Sequence, residues 1–577
     1  MGKNRTLSRT PHGDIFPYFE ENGRVYIQKD GNDEELSNFT VEPIEELTKD
    51  NGVEQTKSFV FCGKFFNGHP LPRVSIPADQ FSSLNWISKN WGLSPSISPK
   101  STSVPHFRKY IQNKAIGIPH NTVYTHTGFR RLPNGKVVFL HAGGTIGEES
   151  CLCELENELS RYRLPDVPKH SPKEAFSTVL DLFRLGHKDI IYPLLGFCYL
   201  APLTHFLNEA GVIPSFALYL KGETGSFKTS TANLFMAHFC EYKPFTSGVT
   251  NFRATPNYIE KLSFILKDMP LFIDDYHPTT SMEKKKMDAV AQALARGAGD
   301  HAGRGRMAND TSLKTTYPPR GISLITGEDL PDIGQSGLAR FYTVSFESGA
   351  IDLQEMKGFE RKSALLAEAM VYYIQWLILE EQGLPDKLRE RFQTLRQQAE
   401  VPGSHARMAS NIAWLEVGLS MFYECAIHYK VLDYIDSAAA LEEAHQFFAQ
   451  SGMEQMRLIG NEKPVQKFLT VLEELISSGE ILILNIGEAL PCNGETVFGY
   501  REGDYYYLYP DLVFNKVVEF YRRQEGAFPV SKGRLLSDLA KLNMIQTQSG
   551  RMTVKKRIGT TQSRMLALKK SALENLE

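Results

Sequence analysis

Gly222-Glu223-Thr224-Gly225-Ser226-Phe227-Lys228-Thr229 lies between the apolar run 216–220 and a helix-like segment over 231–239, and its reading decides the fold. The spacing is that of G-x-x-x-x-G-K-[ST]. In that loop backbone N–H groups wrap a phosphate chain, the lysine reaches the outer phosphates and the hydroxyl ligates Mg²⁺. One position departs from the pattern. Phe227 stands where the last glycine is expected, so the chain must turn there without the freedom glycine gives. The alternative is a glycine-rich strand-to-helix turn that holds no ligand. An apolar strand before the loop and a helix after it favour phosphate binding, with residues 222–229 holding ATP.

A second apolar run, Leu271-Phe272-Ile273-Asp274-Asp275, ends in two acids. A buried parallel strand is a short apolar run, and carboxylates at its C-terminal end lie beside the phosphate loop in an open α/β sheet. Asp274 is expected to hold Mg²⁺ together with Thr229, and Asp275 to orient and activate the attacking water. Asp275 is one methylene shorter than the glutamate more often found there. The competing account is a strand end with two solvated acids. A third run, Ile322-Ser323-Leu324-Ile325-Thr326-Gly327-Glu328, places the Thr326 hydroxyl where it can touch the γ-phosphate or its water. Arg340, just before the apolar run 341–344, is a candidate to stabilise phosphoryl-transfer charge in its own subunit or a neighbour's. A surface salt bridge is its alternative. Arg407 is a further arginine candidate for the nucleotide.

Between the acids and Thr326, residues 283–296 carry Met287, Val290, Ala291 and Leu294 at helical spacing. Residues 297–320 follow as a glycine-rich loop or hairpin with Arg304, Arg306, Lys314 and Arg320, and with Asp300 and Asp310 as its only acids. Cations on a projection suit phosphate-backbone contact, which positions a strand without reading its sequence. A solvated basic loop is the plainer account.

The order of Lys228-Thr229, Asp274-Asp275, the basic hairpin, Thr326-Gly327-Glu328 and Arg340 resembles that of the helicase-like ATPases of phages, genomic islands and cassette chromosomes. The stretches Tyr124-Thr125-His126-Thr127-Gly128-Phe129-Arg130 and Leu140-His141-Ala142-Gly143-Gly144-Thr145-Ile146-Gly147 look like the leading domain of the same family. The resemblance implies an AAA+ core related to hexameric MCM-type helicases, with ATP and Mg²⁺ as cofactors. It implies action on single-stranded and duplex DNA as a homo-hexamer, beside replication partners encoded by a mobile element. Some relatives are inactivated helicases, so a catalytically weak or inactive nucleotide-switched scaffold or regulator stands as the alternative.

Length and composition fit this account. A chain of 577 residues predicts several domains, and 42% hydrophobic residues can bury real cores. A net charge of −3 excludes a globally basic DNA coat, so nucleic-acid contact must be local. Seven scattered cysteines without metal-ligand spacing read as free thiols in a reducing cytoplasm. His126 and His141 lack a third ligand at convincing spacing and read as core or hairpin histidines. No signal peptide follows Met1, and the apolar stretch 190–206 is broken by Pro193, Pro202 and His205. A buried helix pair is expected there rather than a membrane span.

The expected fold is α/β: an AAA+-type P-loop NTPase core with an N-terminal β-rich (α+β) domain, a helical lid and a C-terminal winged-helix-like domain. Changes of periodicity put the boundaries at 1–165, 166–348, 349–460 and 461–577. Helices are expected over 357–381, 386–400 and 405–429, then 464–478, a strand over 480–484, helices over 512–523 and 532–542, and an arm over 551–555. Residues 521–577 hold twelve Lys or Arg against four acids. Lys555, Lys556 and Arg557 are the candidates there for duplex contact, with a solvated basic tail as the alternative.

Overall fold

The structure, a computed structural model, describes residues 6–9, 15–29, 31–244, 248–301, 303, 306–307, 313–314, 316–400, 406–461, 464–491, 494–523, 528–548 and 550–574. Its centre is a five-stranded, wholly parallel sheet whose strands are labelled here β1 (Ala217–Gly222), β2 (Thr250–Asn251), β3 (Leu271–Tyr276), β4 (Ser323–Gly327) and β5 (Phe341–Phe346). Their spatial order is β2-β3-β4-β1-β5. Strands covered on both faces need no polar alternation, which is why Leu218-Tyr219-Leu220 and Phe272-Ile273 run apolar without interruption and are buried. The crossovers are α1 (Lys228–Met236), α2 (Pro256–Ile265) and α3 (Ser281–Asp300). Parallel pairing brings the C-terminal ends of β1, β3 and β4 side by side, and with them Gly222, Asp274 and Thr326.

Helix α3 carries the amphipathic pattern expected over 283–296, but continues to Asp300 and is N-capped by Thr280, whose hydroxyl accepts from Glu283 N–H. After it, residues 306–307 and 313–314 form a short antiparallel pair in which Arg306 stands opposite Lys314. Arg304 and Asp310 lie outside the described residues.

The apolar stretch before β1 is a helix pair, Lys188–Leu200 and Thr204–Glu209. The first of these is held against α4 (Ala406–His428) by backbone approach at two glycines. A Cβ on Gly418 would run into the Gly196 carbonyl, and one on Gly196 would come within 2.5 Å of the Leu415 carbonyl. No described helix is long and apolar enough to cross a membrane.

Packing does not stop where the sequence periodicities change. The core around the sheet takes in Phe129, Val137, Phe139 and Ile146 on one side and runs to Met370, Phe422 and Phe448 on the other. Hydrogen bonds reinforce the first junction: Phe129 N–H donates to Asp268 Oδ2 at 2.9 Å, and Lys267 Nζ to the Phe129 carbonyl at 2.8 Å. Residues 128–146 thus pack with the sheet, ahead of the expected break at 165. The rest of the N-terminal region is a four-stranded antiparallel sheet and a five-stranded mixed sheet around a separate core containing Phe39, Trp86, Phe107 and Tyr110.

Beyond the sheet, the helix expected over 357–381 divides at Lys362 into Leu353–Arg361 and Ser363–Leu379. A 28-residue helix, Tyr434–Asn461, ends the region 349–460 expected as a helical lid and its extension, beyond the individual helices expected there. The last region has its own core, with Val465, Leu472, Val513, Leu535 and Leu566. Its helices are Pro464–Ser477, Pro510–Arg523 and α5 (Lys532–Lys541), and its final hairpin is β6 (Val554–Ile558) with β7 (Thr561–Lys569). The arm expected over 551–555 is therefore shifted to the hairpin's first strand.

Candidate functional site

The loop between β1 and α1 is built by two residues in the left-handed region, Gly225 at φ 87° and Phe227 at φ 64°. Phe227 is the N-cap of α1 and offers no side-chain cap, so the first N–H groups of the helix stay open at its positive end. Ser226 Oγ is buried and has no hydrogen-bond partner among the described residues. A buried hydroxyl left unpaired beside open amide donors is what a phosphate chain would complete, so residues 222–229 fit a nucleotide. Lys228 Nζ points back over the loop to the Glu223 carbonyl at 3.3 Å.

Below the loop one carboxylate gathers the neighbouring strands. Thr229 Oγ1 donates to Asp274 Oδ1 at 3.0 Å, and Thr326 Oγ1 donates to the same oxygen. The Asp275 N–H in turn donates to Thr326 Oγ1 at 3.1 Å. Asp274 is 6% exposed and Thr326 wholly buried. A hydroxyl and a carboxylate are hard oxygen donors, which suits Mg²⁺ at Thr229 and Asp274.

Asp275 is set apart from Asp274 by a bulge. Ile273 pairs with Ile325 and Tyr276 with Gly327, so two residues of β3 stand opposite the single residue Thr326. Asp275 takes up the extra length at φ 65° with its side chain in solvent. A non-glycine residue held there costs on the order of 1–3 kcal/mol, and such strain gathers at functional sites.

A second carboxylate ties the rim. Glu328 accepts from the Thr224 hydroxyl and lies 2.7 Å from His277 Nδ1, joining the phosphate loop to the chain leaving β3. The Thr224 hydroxyl holds the Glu328 carboxyl below the usual range. His277 belongs to no motif, and only its position two residues after Asp275 points to it.

The arginine candidates lie at the other end of the sheet. The Arg340 carbonyl accepts from Ala217 N–H at 2.9 Å, so Arg340 sits where β1 begins. Its own phosphate loop is a strand length away, about 16 Å at 3.3 Å per residue. That exceeds the reach of the side chain, so the own-subunit role for Arg340 is corrected by geometry. The guanidinium donates to Asp300 Oδ1 at 2.8 Å and to the Ser336 carbonyl at 3.0 Å. Arg407 lies 4.0 Å from the same Asp300 oxygen, and burial and the nearby Arg340 lower its pKa. Both guanidiniums thus lie against the same Asp300 carboxylate.

The other candidates separate as follows. Among the described residues no group of three or more His, Cys, Asp or Glu is placed to hold a metal ion. His126 Nδ1 donates to the Thr127 carbonyl at 2.7 Å, while His141 Nδ1 accepts from Gly143 N–H at 3.0 Å; both are core histidines. In the final hairpin Lys555 and Arg557 are exposed. Lys556 is corrected: its side chain turns inward, pairs with Glu502 and lies over the Tyr507 ring at 4.2 Å from the centroid.

Fold and site together describe an α/β protein with a nucleotide-type loop at the C-terminal edge of a parallel sheet. No protein-family model matches the chain, and no curated protein matches it. Among solved structures it is similar to one described as "SCCmec type IV Cch - active helicase", at 13% identity and a TM-score of 0.61, over 98% of this chain and 99% of that one. At that identity the likeness is one of fold, and it extends from end to end. A JCV helicase with a bound acetamide compound aligns at 12% identity and a TM-score of 0.20, over 39% of this chain and 73% of that one, too loosely to carry an argument.

Proposed function

We propose that the protein is an ATP-dependent DNA translocase or helicase with an AAA+-type core, working as a ring in the cytoplasm during replication of a mobile element. The observation that carries this reading is the hydrogen-bonded chain from Thr229 through Asp274 and Thr326 to Asp275 directly beneath the phosphate loop. Lys228 and the loop N–H groups bind the triphosphate. Mg²⁺, held by Thr229 and Asp274, would neutralise charge on its outer phosphates. Asp275 accepts a proton from the attacking water, and Thr326 fixes the height of that carboxylate by holding its backbone N–H. Arg340, with Arg407 beside it, completes the site of the adjacent subunit. Arg304, Arg306 and Lys314 line the path of single-stranded DNA.

Phe227 favours a second reading, a nucleotide-switched scaffold or regulator with little turnover. A bulky residue in the left-handed region of the phosphate loop stiffens the turn that must follow the phosphates through hydrolysis. The two readings separate in one experiment: steady-state ATP hydrolysis by the full chain with Mg²⁺, with and without single-stranded DNA, beside Lys228→Ala. The motor reading expects a rate that DNA raises and Lys228→Ala abolishes. ATP binding with no turnover in either condition would leave the scaffold reading in its place.

A further inference from the structure

Two elements of the C-terminal region, α5 and the final hairpin, each carry three or more cations, and the structure treats them differently. Helix α5 is the one a helix-turn-helix arrangement would place in a groove, yet each of its cations is already matched. Lys532 pairs with Asp511, Arg534 Nε with Asp538 at 3.0 Å, and Lys541 with Asp538 at 3.6 Å. Asp511 and Asp538 thus stand within ion-pair distance of all three cations, and a phosphate would have to displace them.

The hairpin of β6 and β7 is the reverse. Burial alternates along β6: Val554 is buried and Lys556 and Ile558 turn partly inward, while Lys555 and Arg557 face solvent. The register puts Lys555 directly opposite Arg564 and Arg557 opposite Gln562. Lys555, Arg557 and Arg564 therefore share one exposed face. None of the three has a carboxylate partner among the described residues, their contacts in reach being the Gly559 carbonyl for Arg557 and the Thr553 carbonyl for Arg564. Like charges directly across an antiparallel pair are destabilising, so this face is held at a cost that a polyanion would remove.

We propose that the outer face of this hairpin, Lys555, Arg557 and Arg564, is a clamp for the phosphate backbone of duplex DNA, and that α5 does not read bases. This deepens the proposed function and rests on the reading of the protein as a DNA translocase or helicase. Contact is thus independent of sequence, and Arg564 belongs to it where Lys556 does not. The hairpin holds duplex by charge alone, a grip that can slide as the ring moves.

The test is fluorescence anisotropy of the full chain, without nucleotide, on labelled blunt duplexes of two unrelated sequences over a salt series. The triple variant Lys555→Ala, Arg557→Ala, Arg564→Ala is compared with Lys532→Ala, Arg534→Ala, Lys541→Ala. Glutamine at the same three hairpin positions serves as a second set, and matched thermal unfolding midpoints confirm folding. Expected are equal affinities for the two sequences, and a slope of log K on log salt shallower by about 3 in the hairpin variant, one phosphate contact being worth roughly 0.9. The α5 variant should keep the wild-type slope. A larger loss from the α5 variant, or affinities that differ between the sequences, would overturn the clamp while leaving duplex binding in place. Failure of the unmodified chain to bind any duplex at low salt would instead remove the duplex-binding reading itself. Loss of binding to polyglutamate in the hairpin variant with duplex binding unchanged would assign the face to an acidic protein and overturn the proposal.

Discussion

Two residues flanking the same site, Phe227 at φ 64° and Asp275 at φ 65°, occupy backbone conformations that side chains resist. They are strained for different reasons. Asp275 absorbs the extra length of a bulge, whereas Phe227 turns the chain from the phosphate loop into α1, a task glycine performs without penalty. The Phe227 ring is 40% exposed, so replacing it sacrifices only part of its burial. Left-handed strain of about 1–2 kcal/mol is relieved by glycine, against about 0.5–1 kcal/mol of extra chain entropy in the unfolded state. Losing the buried part of the ring costs about 1–2 kcal/mol more, so Phe227→Gly is expected to destabilise the nucleotide-free protein slightly, by about 0.5 kcal/mol, far less than the loss of so large a side chain would cost at an unstrained position. A drop in the thermal midpoint worth about 2 kcal/mol or more would show that no strain is relieved there.

Beside three elements of the fold stand histidines that must stay neutral. His126 precedes the strand Gly128–Arg131, His141 closes the strand Val137–His141, and His238 follows α1. All three are fully buried, and the Nε2 of each lacks a partner among the described residues. Burial pulls each from 6.5 down to about 4, with the cations Arg320, Lys267 and Arg130 adding to the effect at His126. Between those values the unfolded chain binds protons that the folded chain refuses. The stabilisation is complete above pH 6.5 and lost as pH falls toward 4. Each histidine contributes at most about 1.4 kcal/mol per pH unit, and the three together about 4. Urea unfolding followed by tryptophan fluorescence should thus show a midpoint that drops from pH 6.5 to 5.5, before most carboxylates titrate. A flat profile would mean these rings are protonated in the fold.

The same elements show what could be read in advance. The phosphate loop and the strands carrying Asp274 and Thr326 were legible because doubly covered strands are uninterrupted apolar runs with polar residues at one end. The bulge at Asp275 was not, since nothing in Ile273-Asp274-Asp275-Tyr276 distinguishes a regular strand from one with an extra residue. The inward turn of Lys556 is legible in the alternation Val554, Lys556, Ile558, whereas charge alone does not distinguish it from Lys555 and Arg557. The break at Lys362 lies between the buried Phe359 and Leu366, and no local pattern encodes it.

At the scale of the whole molecule the nucleotide loop and the Arg340 cluster lie at opposite ends of the central sheet, and that separation makes a prediction about assembly. If Arg340 acts at all on a nucleotide, it acts on one bound by another copy, since β1 spans the distance to its own. A subunit with Lys228→Ala still offers a good Arg340, and a subunit with Arg340→Ala still offers a good loop. Each variant alone should be inactive, but randomly mixed rings restore both groups at roughly a quarter of their interfaces. ATP hydrolysis of the mixture should therefore exceed the mean of the separate preparations by a clear margin, and increase with time as subunits exchange. The Asp300 pairing supplies the control, because Asp300→Asn removes the carboxylate that steadies both guanidiniums without removing either. If Arg340 serves only that salt bridge, Arg340→Ala and Asp300→Asn should lower stability alike and leave hydrolysis per folded protein unchanged, and mixing should rescue nothing. If it serves the neighbouring site, Arg340→Ala abolishes turnover where Asp300→Asn only weakens it, and the mixture recovers.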